Sequence, residues 1–176
     1  MNKSELRKWA KDKRKGLNLP EISSLITANI RKTEIYRRSQ NILIFYPLQN
    51  EINLLSLLDD KKNFYLPRVN NELLEVCPYK KGDFLILSKL KIYEPETKDV
   101  DKTNIDLIFT PALCADERFY RIGYGGGYYD RFLSDFRGYK IIVLPDELMV
   151  ENISEEETDI RCDGIITQKK SLFLRG

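Results

Sequence analysis

The stretch Arg121-Ile122-Gly123-Tyr124-Gly125-Gly126-Gly127-Tyr128-Tyr129-Asp130-Arg131 holds the residue types in this chain best suited to gripping a polyanion. Four of the nine glycines fall within five of its positions. Glycine is costly in chain entropy, so such a cluster marks backbone that turns sharply or approaches a ligand closely. Bare N–H groups in a loop that opens into a helix suit a phosphate. Arg121 and Arg131 can add charge-assisted hydrogen bonds, and Asp130 can hold a cation that accompanies phosphates. No Gly-Lys-Ser/Thr closes the loop as in a Walker A sequence, and its glycine spacing does not fit the dinucleotide fingerprint. On these residues alone a phosphate cradle and a tight structural turn both remain open. Tyr128 and Tyr129 are adjacent and point to different sides of a helix, so one can be core while the other faces a ligand ring.

Three further groups have chemistry to offer. Residues 3–15 carry seven Lys/Arg against two acids. Arg7, Lys11 and Arg14 align at i, i+4 and i+7 along a helix face, as a solvated surface or as a second contact for an anion. Glu51 follows an apolar run and a Pro turn, where it can accept an amino or ring N–H group or serve as a first-turn helix acid favoured by the macrodipole. Residues 155–159 hold four acids in five positions, followed by Asp163. They read as a solvated loop, or one of them supplies a second magnesium-directed carboxylate facing Asp130. Magnesium commonly takes one or two protein carboxylates and completes its octahedron with phosphates and waters.

Composition narrows the classes. A chain of 176 residues suits one domain with a substantial core, and 42% hydrophobic with 32% charged residues is a globular balance. A net charge of +2 gives no sign of a nucleic-acid partner. With no histidine, zinc sites, histidine triads and phosphohistidine chemistry lose their usual ligand or base. Cys77, Cys114 and Cys162 are odd in number and widely spaced, as expected of core thiols in a reducing compartment. No apolar run approaches the roughly 20 residues needed to cross a membrane, and no apolar signal region opens the chain. The expected setting is cytoplasmic, with no membrane partner.

The elements that must position these residues follow from periodicity. Ser4 is the expected N-cap of a helix ending near Gly16, with Glu5 in its first turn and Leu6, Trp9 and Ala10 sharing a face. A second helix starts near Pro20, with Ile22, Leu25, Ile26 and Ile30 as its apolar stripe and Arg37-Arg38 at its end. Residues 41–46 read as a buried parallel strand stopped by Pro47, and residues 52–58 as a short helix. Strands follow at 63–69 and 73–79, then a mixed stretch at 84–94 and a strand at 106–110. The glycine loop opens a helix through about Phe136. A strand at 139–144 comes next, and residues 164–167 end the sheet. Strands alternating with helices imply an α/β fold with a mainly parallel sheet, in which ligands sit at the carboxyl ends of strands.

Taken in order, Asp106-Leu-Ile-Phe-Thr-Pro111, Asp116 and residues 121–131 resemble the signature of the 5-formyltetrahydrofolate cyclo-ligases, also called methenyltetrahydrofolate synthetases. The flanking segments resemble the family too: residues 3–7, Tyr46-Pro-Leu-Gln-Asn-Glu51, Leu66-Pro67 and Asp159-Ile-Arg-Cys-Asp163-Gly-Ile-Ile-Thr167. The resemblance implies a single three-layer α/β/α, Rossmann-like domain over residues 1–176. It further implies ATP- and Mg²⁺-dependent conversion of 5-formyltetrahydrofolate to 5,10-methenyltetrahydrofolate. It assigns ATP to Lys3, Ser4, Glu5, Leu6, Arg7 and to Arg121, Ile122, Gly123, Tyr124, Gly125, Gly126, Gly127, Tyr128 and Tyr129. Magnesium falls to Asp130 and Asp159, the folate to Tyr46 and Glu51, and catalysis to Arg121, Tyr129 and Arg131. The partners are then the small molecules ATP and a reduced folate, and the protein is expected to be a monomer. The chain departs from the family where Cys114-Ala115-Asp116 stands for a Gly-Phe-Asp or Ala-Phe-Asp segment, with Phe119 or Tyr120 expected to replace the missing ring. It departs again near residues 145–148, which lack the family's aromatic and Gln. These departures keep two alternatives open: a folate- or nucleotide-binding protein without turnover, and a sugar-phosphate isomerase-like enzyme.

Overall fold

The structure is a computed structural model and describes residues 1–174. Helix α1 (Lys3–Arg14) is capped by Asn2 rather than Ser4. The Asn2 side chain accepts the Glu5 amide at 2.8 Å, and the Glu5 carboxylate accepts the Asn2 amide at 3.3 Å. This capping box satisfies two N–H groups that a helix start leaves free. Helix α2 (Leu19–Lys32) does not run on to Arg38. Thr33 adopts extended backbone and its hydroxyl caps the Tyr36 amide, starting the separate helix α3 (Glu34–Arg38). A β-branched hydroxyl residue favours this break, because its side chain serves a cap better than a helix interior.

Strand β1 (Asn41–Leu43) stops three residues short of the expected end, although Ile44 and Phe45 stay buried and the Ile44 amide still donates to the Tyr65 carbonyl. The expected short helix is a 3₁₀ segment at Leu55–Asp59. Then come β2 (Asn63–Asn70), β3 (Leu73–Tyr79), and a hairpin of β4 (Leu85–Leu87) and β5 (Tyr93–Pro95) in the mixed stretch. Strand β6 (Leu107–Pro111) leads to β7 (Cys114–Asp116) and β8 (Arg121–Ile122). Helix α4 (Tyr128–Leu133) ends before Phe136. Strands β9 (Tyr139–Val143), β10 (Met149–Val150), β11 (Gly164–Ile166) and β12 (Ser171–Phe173) complete the described chain. Thus residues 164–167 do not end the sheet, because β12 folds back antiparallel beyond them.

The main sheet has the order β12-β11-β9-β6-β1-β2-β3. The five strands from β11 to β2 are parallel, and an antiparallel strand flanks each edge. Alternate residues feed two cores, as the two-residue period of a strand requires. Leu43, Ile108, Ile142 and Ile165 point to the face covered by α1 and α4. Ile42, Ile44, Phe109, Ile141, Val143 and Ile166 point to the face covered by α2 and α3. Helix, sheet and helix therefore form three layers, and the mainly parallel α/β expectation holds. A small sheet of order β10-β7-β8 lies on the α1 side. Pro67 fits inside β2 because β1 pairs with β2 only as far as Tyr65, so its missing N–H falls where that edge has lost its neighbour.

The winding of the sheet reverses between β1 and β6. From β1 the chain moves to β2 on one side, whereas from β6 it moves to β9 and β11 on the other. In open parallel sheets the crevice at the carboxyl ends of two such strands is where ligands bind.

Candidate functional site

Both sides of that reversal contribute to one opening. Glu51 comes from the segment that follows β1. Arg121, on β8, returns over the end of β6 and donates its Nε–H to the Pro111 carbonyl at 2.9 Å. Both side chains are buried, Glu51 at 8% and Arg121 at 5% exposure.

The glycine loop leaves β8 directly above Arg121. Gly125 and Gly127 have φ of +107° and +71°, a region that costs residues with a Cβ about 1–2 kcal/mol. Arg7 Nε donates to the Gly123 carbonyl at 3.0 Å, tying α1 to the loop. Among the described residues, no N–H group of residues 123–127 donates to a protein acceptor. Such a run of open amides forms an anion-binding concavity. Helix α4 behind it has only six residues, so its macrodipole is small.

Next to the loop lie three carboxylates, Asp130, Asp159 and Glu156, and two cations, Arg121 and Lys3. Arg121 Nη1 lies 3.7 Å from Asp130 Oδ1, and the Ile160 amide donates to that same oxygen at 3.4 Å. Both contacts are long for a carboxylate that is three-quarters buried. Burial raises the Asp130 pKa, and the opposing charge of Arg121 does not cancel the rise. Lys3 Nζ meets Asp159 at 2.5 Å and Glu156 at 3.3 Å. Burial disfavours the Lys3 ammonium, but its bonds to Asp159 and Glu156 outweigh that and raise its pKa. A half-satisfied buried carboxylate beside a second one suits a hard divalent cation completed by phosphate oxygens and water. Among the described residues no three Asp, Glu, Cys or His side chains close around a metal.

Glu51 faces the loop from below. Its Oε1 accepts the Leu48 amide at 2.8 Å, and its Oε2 accepts the Tyr124 hydroxyl at 3.1 Å. Burial raises the Glu51 pKa against the pull of Leu48, Tyr124, Arg14 and Arg121. Burial likewise raises the Tyr124 and Tyr129 phenols, so both remain proton donors. The Arg121 guanidinium lies 5.4 Å from the Tyr129 ring centre. Tyr46 packs instead against Tyr93 of the β4–β5 hairpin, with ring centres 5.1 Å apart.

The structure thus brings Lys3, Arg7, Arg121, residues 123–127, Tyr129, Asp130 and Asp159 together, with Glu51 alongside. The remaining residues take other contacts. Arg131 Nε donates to the Glu72 carbonyl at 3.1 Å, and its guanidinium covers the Tyr128 ring and lies against Gly127 of the loop. Leu6 and Ile122 bury their side chains in the core, and the Leu6 amide and Ile122 carbonyl are bonded to Asn2 and Leu113. Glu5 is spent on the capping box, and Ser4 lies exposed at the second helical position. Phe119, at φ +73°, turns into the core, and Tyr120 lies under the Arg118 guanidinium.

Two residues had no assigned role in the sequence. Asp116 is fully buried and accepts the amides of Arg118, Tyr120 and Ile153, together with the Arg118 guanidinium. It organises the turn that returns β8 to the site. Arg14 is buried as well; its periodic alignment with Arg7 signalled only a basic face. The cysteines are free and buried, and burial pushes Cys77 and Cys114 up to about 11 and Cys162 up to about 12. Thiols held protonated in this way are poor nucleophiles.

Comparison with known proteins agrees with this architecture. The profile of the 5-formyltetrahydrofolate cyclo-ligase family matches residues 1–168. The 5-formyltetrahydrofolate cyclo-ligase of Escherichia coli (strain K12) is 29% identical over 146 residues, spanning 75% of this chain and 80% of its own. That of Mycoplasma genitalium is 30% identical over 138 residues, spanning 76% and 78%. The solved structure of Aquifex aeolicus 5,10-methenyltetrahydrofolate synthetase superposes with a TM-score of 0.88 at 29% identity, covering 100% of this chain and 94% of that one.

Proposed function

The chain belongs to the 5-formyltetrahydrofolate cyclo-ligase family, and from that premise we propose how its residues divide the ATP-dependent closure of 5-formyltetrahydrofolate to 5,10-methenyltetrahydrofolate. The observation that carries the division is the Tyr124–Glu51 hydrogen bond, which joins the open-amide loop to a buried carboxylate acceptor. The loop takes the ATP phosphates on the free N–H groups of residues 123–127, with Lys3 and Arg7 closing from α1. Asp130 and Asp159 hold Mg²⁺, which supplies charge neutralisation on the phosphate oxygens. Glu51 accepts N–H groups of the folate ring, and Tyr46 lines the approach beside Tyr93.

The chemistry then needs no protein nucleophile. The formyl oxygen attacks the γ-phosphorus of ATP, a P–O bond forms, and the bond to ADP breaks. N10 of the folate attacks the activated formyl carbon, its proton departs, and the C–O bond breaks to release phosphate carrying the former formyl oxygen. Phosphoryl transfer of this kind rests on positioning and charge stabilisation. Arg121 serves both, because Tyr129 and the Pro111 carbonyl fix its guanidinium beside Asp130 before any ligand arrives. Arg131, held on the Glu72 carbonyl with its guanidinium against Gly127, stands at the edge of the loop, so Arg121, fixed beside Asp130, is assigned the larger share. A single cyclo-ligase domain spanning the whole chain and acting as a monomer completes the reading; Arg175 and Gly176 lie outside the described residues.

Isotope transfer tests the mechanism. With ¹⁸O in the formyl group, the label is expected in inorganic phosphate. Label that leaves as water instead would rule out the phosphorylated intermediate.

A further inference from the structure

Arg14 belongs to none of the groups assigned above. It is the last residue of α1 and only 3% exposed. Its Nη1 donates to the Asn50 carbonyl at 3.0 Å, and its Nη2 to the Leu113 carbonyl at 3.2 Å and to the Ala112 carbonyl. Its Nε, also buried, meets no protein acceptor. The clamped carbonyls come from the segments after β1 and after β6, so Arg14 bridges the two strand ends that frame the crevice.

All three acceptors are neutral, and neutral donors would satisfy them. A buried guanidinium is costly to desolvate, and such cations are normally paired with a carboxylate. Of the side chains whose fields reach Arg14, which are Tyr124, Glu51 and Cys114, the carboxylate is Glu51, the residue after the clamped Asn50. Glu51 is in the complementary position: a buried carboxylate whose bonds, among the described residues, come only from the Leu48 amide and the Tyr124 hydroxyl. The charged and titratable groups facing it are Arg14 from α1, Arg121 from β8, Tyr124 from the loop and Tyr129 from α4. Arg121 is shared with Asp130. Among the described residues no carboxylate is bonded to Arg14, so its charge can balance Glu51 through the low-dielectric interior.

We propose that Arg14 is a positioning residue for the folate half of the site, acting through Glu51: it fixes the Asn50–Glu51 backbone against the end of β6 and supplies the buried positive charge that keeps Glu51 an acceptor. The proposal rests on Glu51 receiving folate N–H groups.

Two substitutions separate charge from packing. Arg14→Gln removes the charge and keeps an amide that can donate to the carbonyls, whereas Arg14→Lys keeps the charge and loses the fork. The Glu51 side-chain carboxyl can be followed against pH by carbon NMR in glutamate-labelled protein, with Glu51→Gln identifying its signal. Arg14→Gln is expected to move the Glu51 midpoint up by about one pH unit. It should raise the folate KM at neutral pH roughly tenfold while kcat changes little. Arg14→Lys is expected to stay near the unsubstituted protein in both readouts while melting at a lower temperature. An unmoved midpoint in Arg14→Gln would overturn the proposal. Should Arg14→Gln not fold, Arg14→Lys decides: retained midpoint and KM support the charge role, and their loss in a folded protein overturns it. If Glu51→Gln leaves the folate KM unchanged, the folate role of Glu51 fails and the proposal falls with it. If Glu51→Gln raises the KM and Arg14→Gln does not, only the proposal fails.

Discussion

At the scale of single residues, Asp130 and Glu51 carry the sharpest expectations. Asp130→Asn removes a charge and almost no volume from a carboxylate whose protein contacts are already long. It is expected to lower kcat about 100-fold, with the loss deepest at limiting magnesium and the melting temperature nearly unchanged. Full activity at limiting magnesium would remove Asp130 from the metal site. Glu51 offers a test in pH. Its folded pKa lies above the ordinary 4.5, so the folded state binds its proton more tightly than the unfolded one. Its contribution to stability is fully present below that value and is lost as pH rises through the folded pKa. Glu51→Gln abolishes this loss, so its melting temperature should gain on the unsubstituted protein as pH rises from 5 to 8. A gap that stays constant over that range would contradict a buried, ionising Glu51. Residue types with unusual chemistry were legible in the sequence because Arg121, Asp130 and the glycines cluster in one segment. Arg14 was not, because seven positions on a helix put it almost in line with Arg7. Its distinct fate is set by carbonyls at two strand ends far away in sequence.

At the scale of elements, the site depends on two local structures. The first is the capping box that starts α1 and fixes Lys3 and Arg7. Asn2→Ala should cost about 1 kcal/mol of stability and raise the KM for ATP more than that for folate, as steady-state kinetics would show. The second is the left-handed backbone at Gly125, where a Cβ would meet Arg7 only at ordinary contact distance of 3.8 Å. Gly125→Ala is therefore a test of conformation rather than of crowding. It should cost roughly 1–2 kcal/mol, appearing as a several-fold higher KM for ATP with an intact fold. An unchanged KM would show that the loop does not hold the nucleotide in this conformation. Six of the seven described strands of the main sheet were readable from apolar periodicity, and so was α1; the short strands β7, β8 and β10 were not. The ends of elements were not. Thr33 splits one apolar stripe into two helices through a side-chain cap, and β12 pairs beyond an expected edge through a turn with no strong glycine or proline signal.

At the scale of the molecule, the sheet reverses between β1 and β6, and Glu51, Arg14 and Arg121 all converge on that reversal. Sequence supplied the α/β class and the residues, but which strands flank the crevice depends on pairing order, which periodicity does not encode. Among the described residues no helix is long and apolar enough to cross a membrane. Phe84, Ile86, Leu87 and Leu90 are exposed around the β4–β5 hairpin. Sedimentation is nevertheless expected to give a single species near 20.7 kDa, and a concentration-dependent dimer would overturn the monomer assignment. The central claim, that this fold couples ATP cleavage to folate ring closure, has a direct test. Protein is mixed with Mg-ATP and 5-formyltetrahydrofolate, and the near-ultraviolet absorbance of the methenyl product is followed alongside ADP. Product and ADP are expected to rise together, one for one, and neither is expected to rise without the other substrate. Well-folded protein that forms no methenyl product in the presence of ATP would contradict that claim.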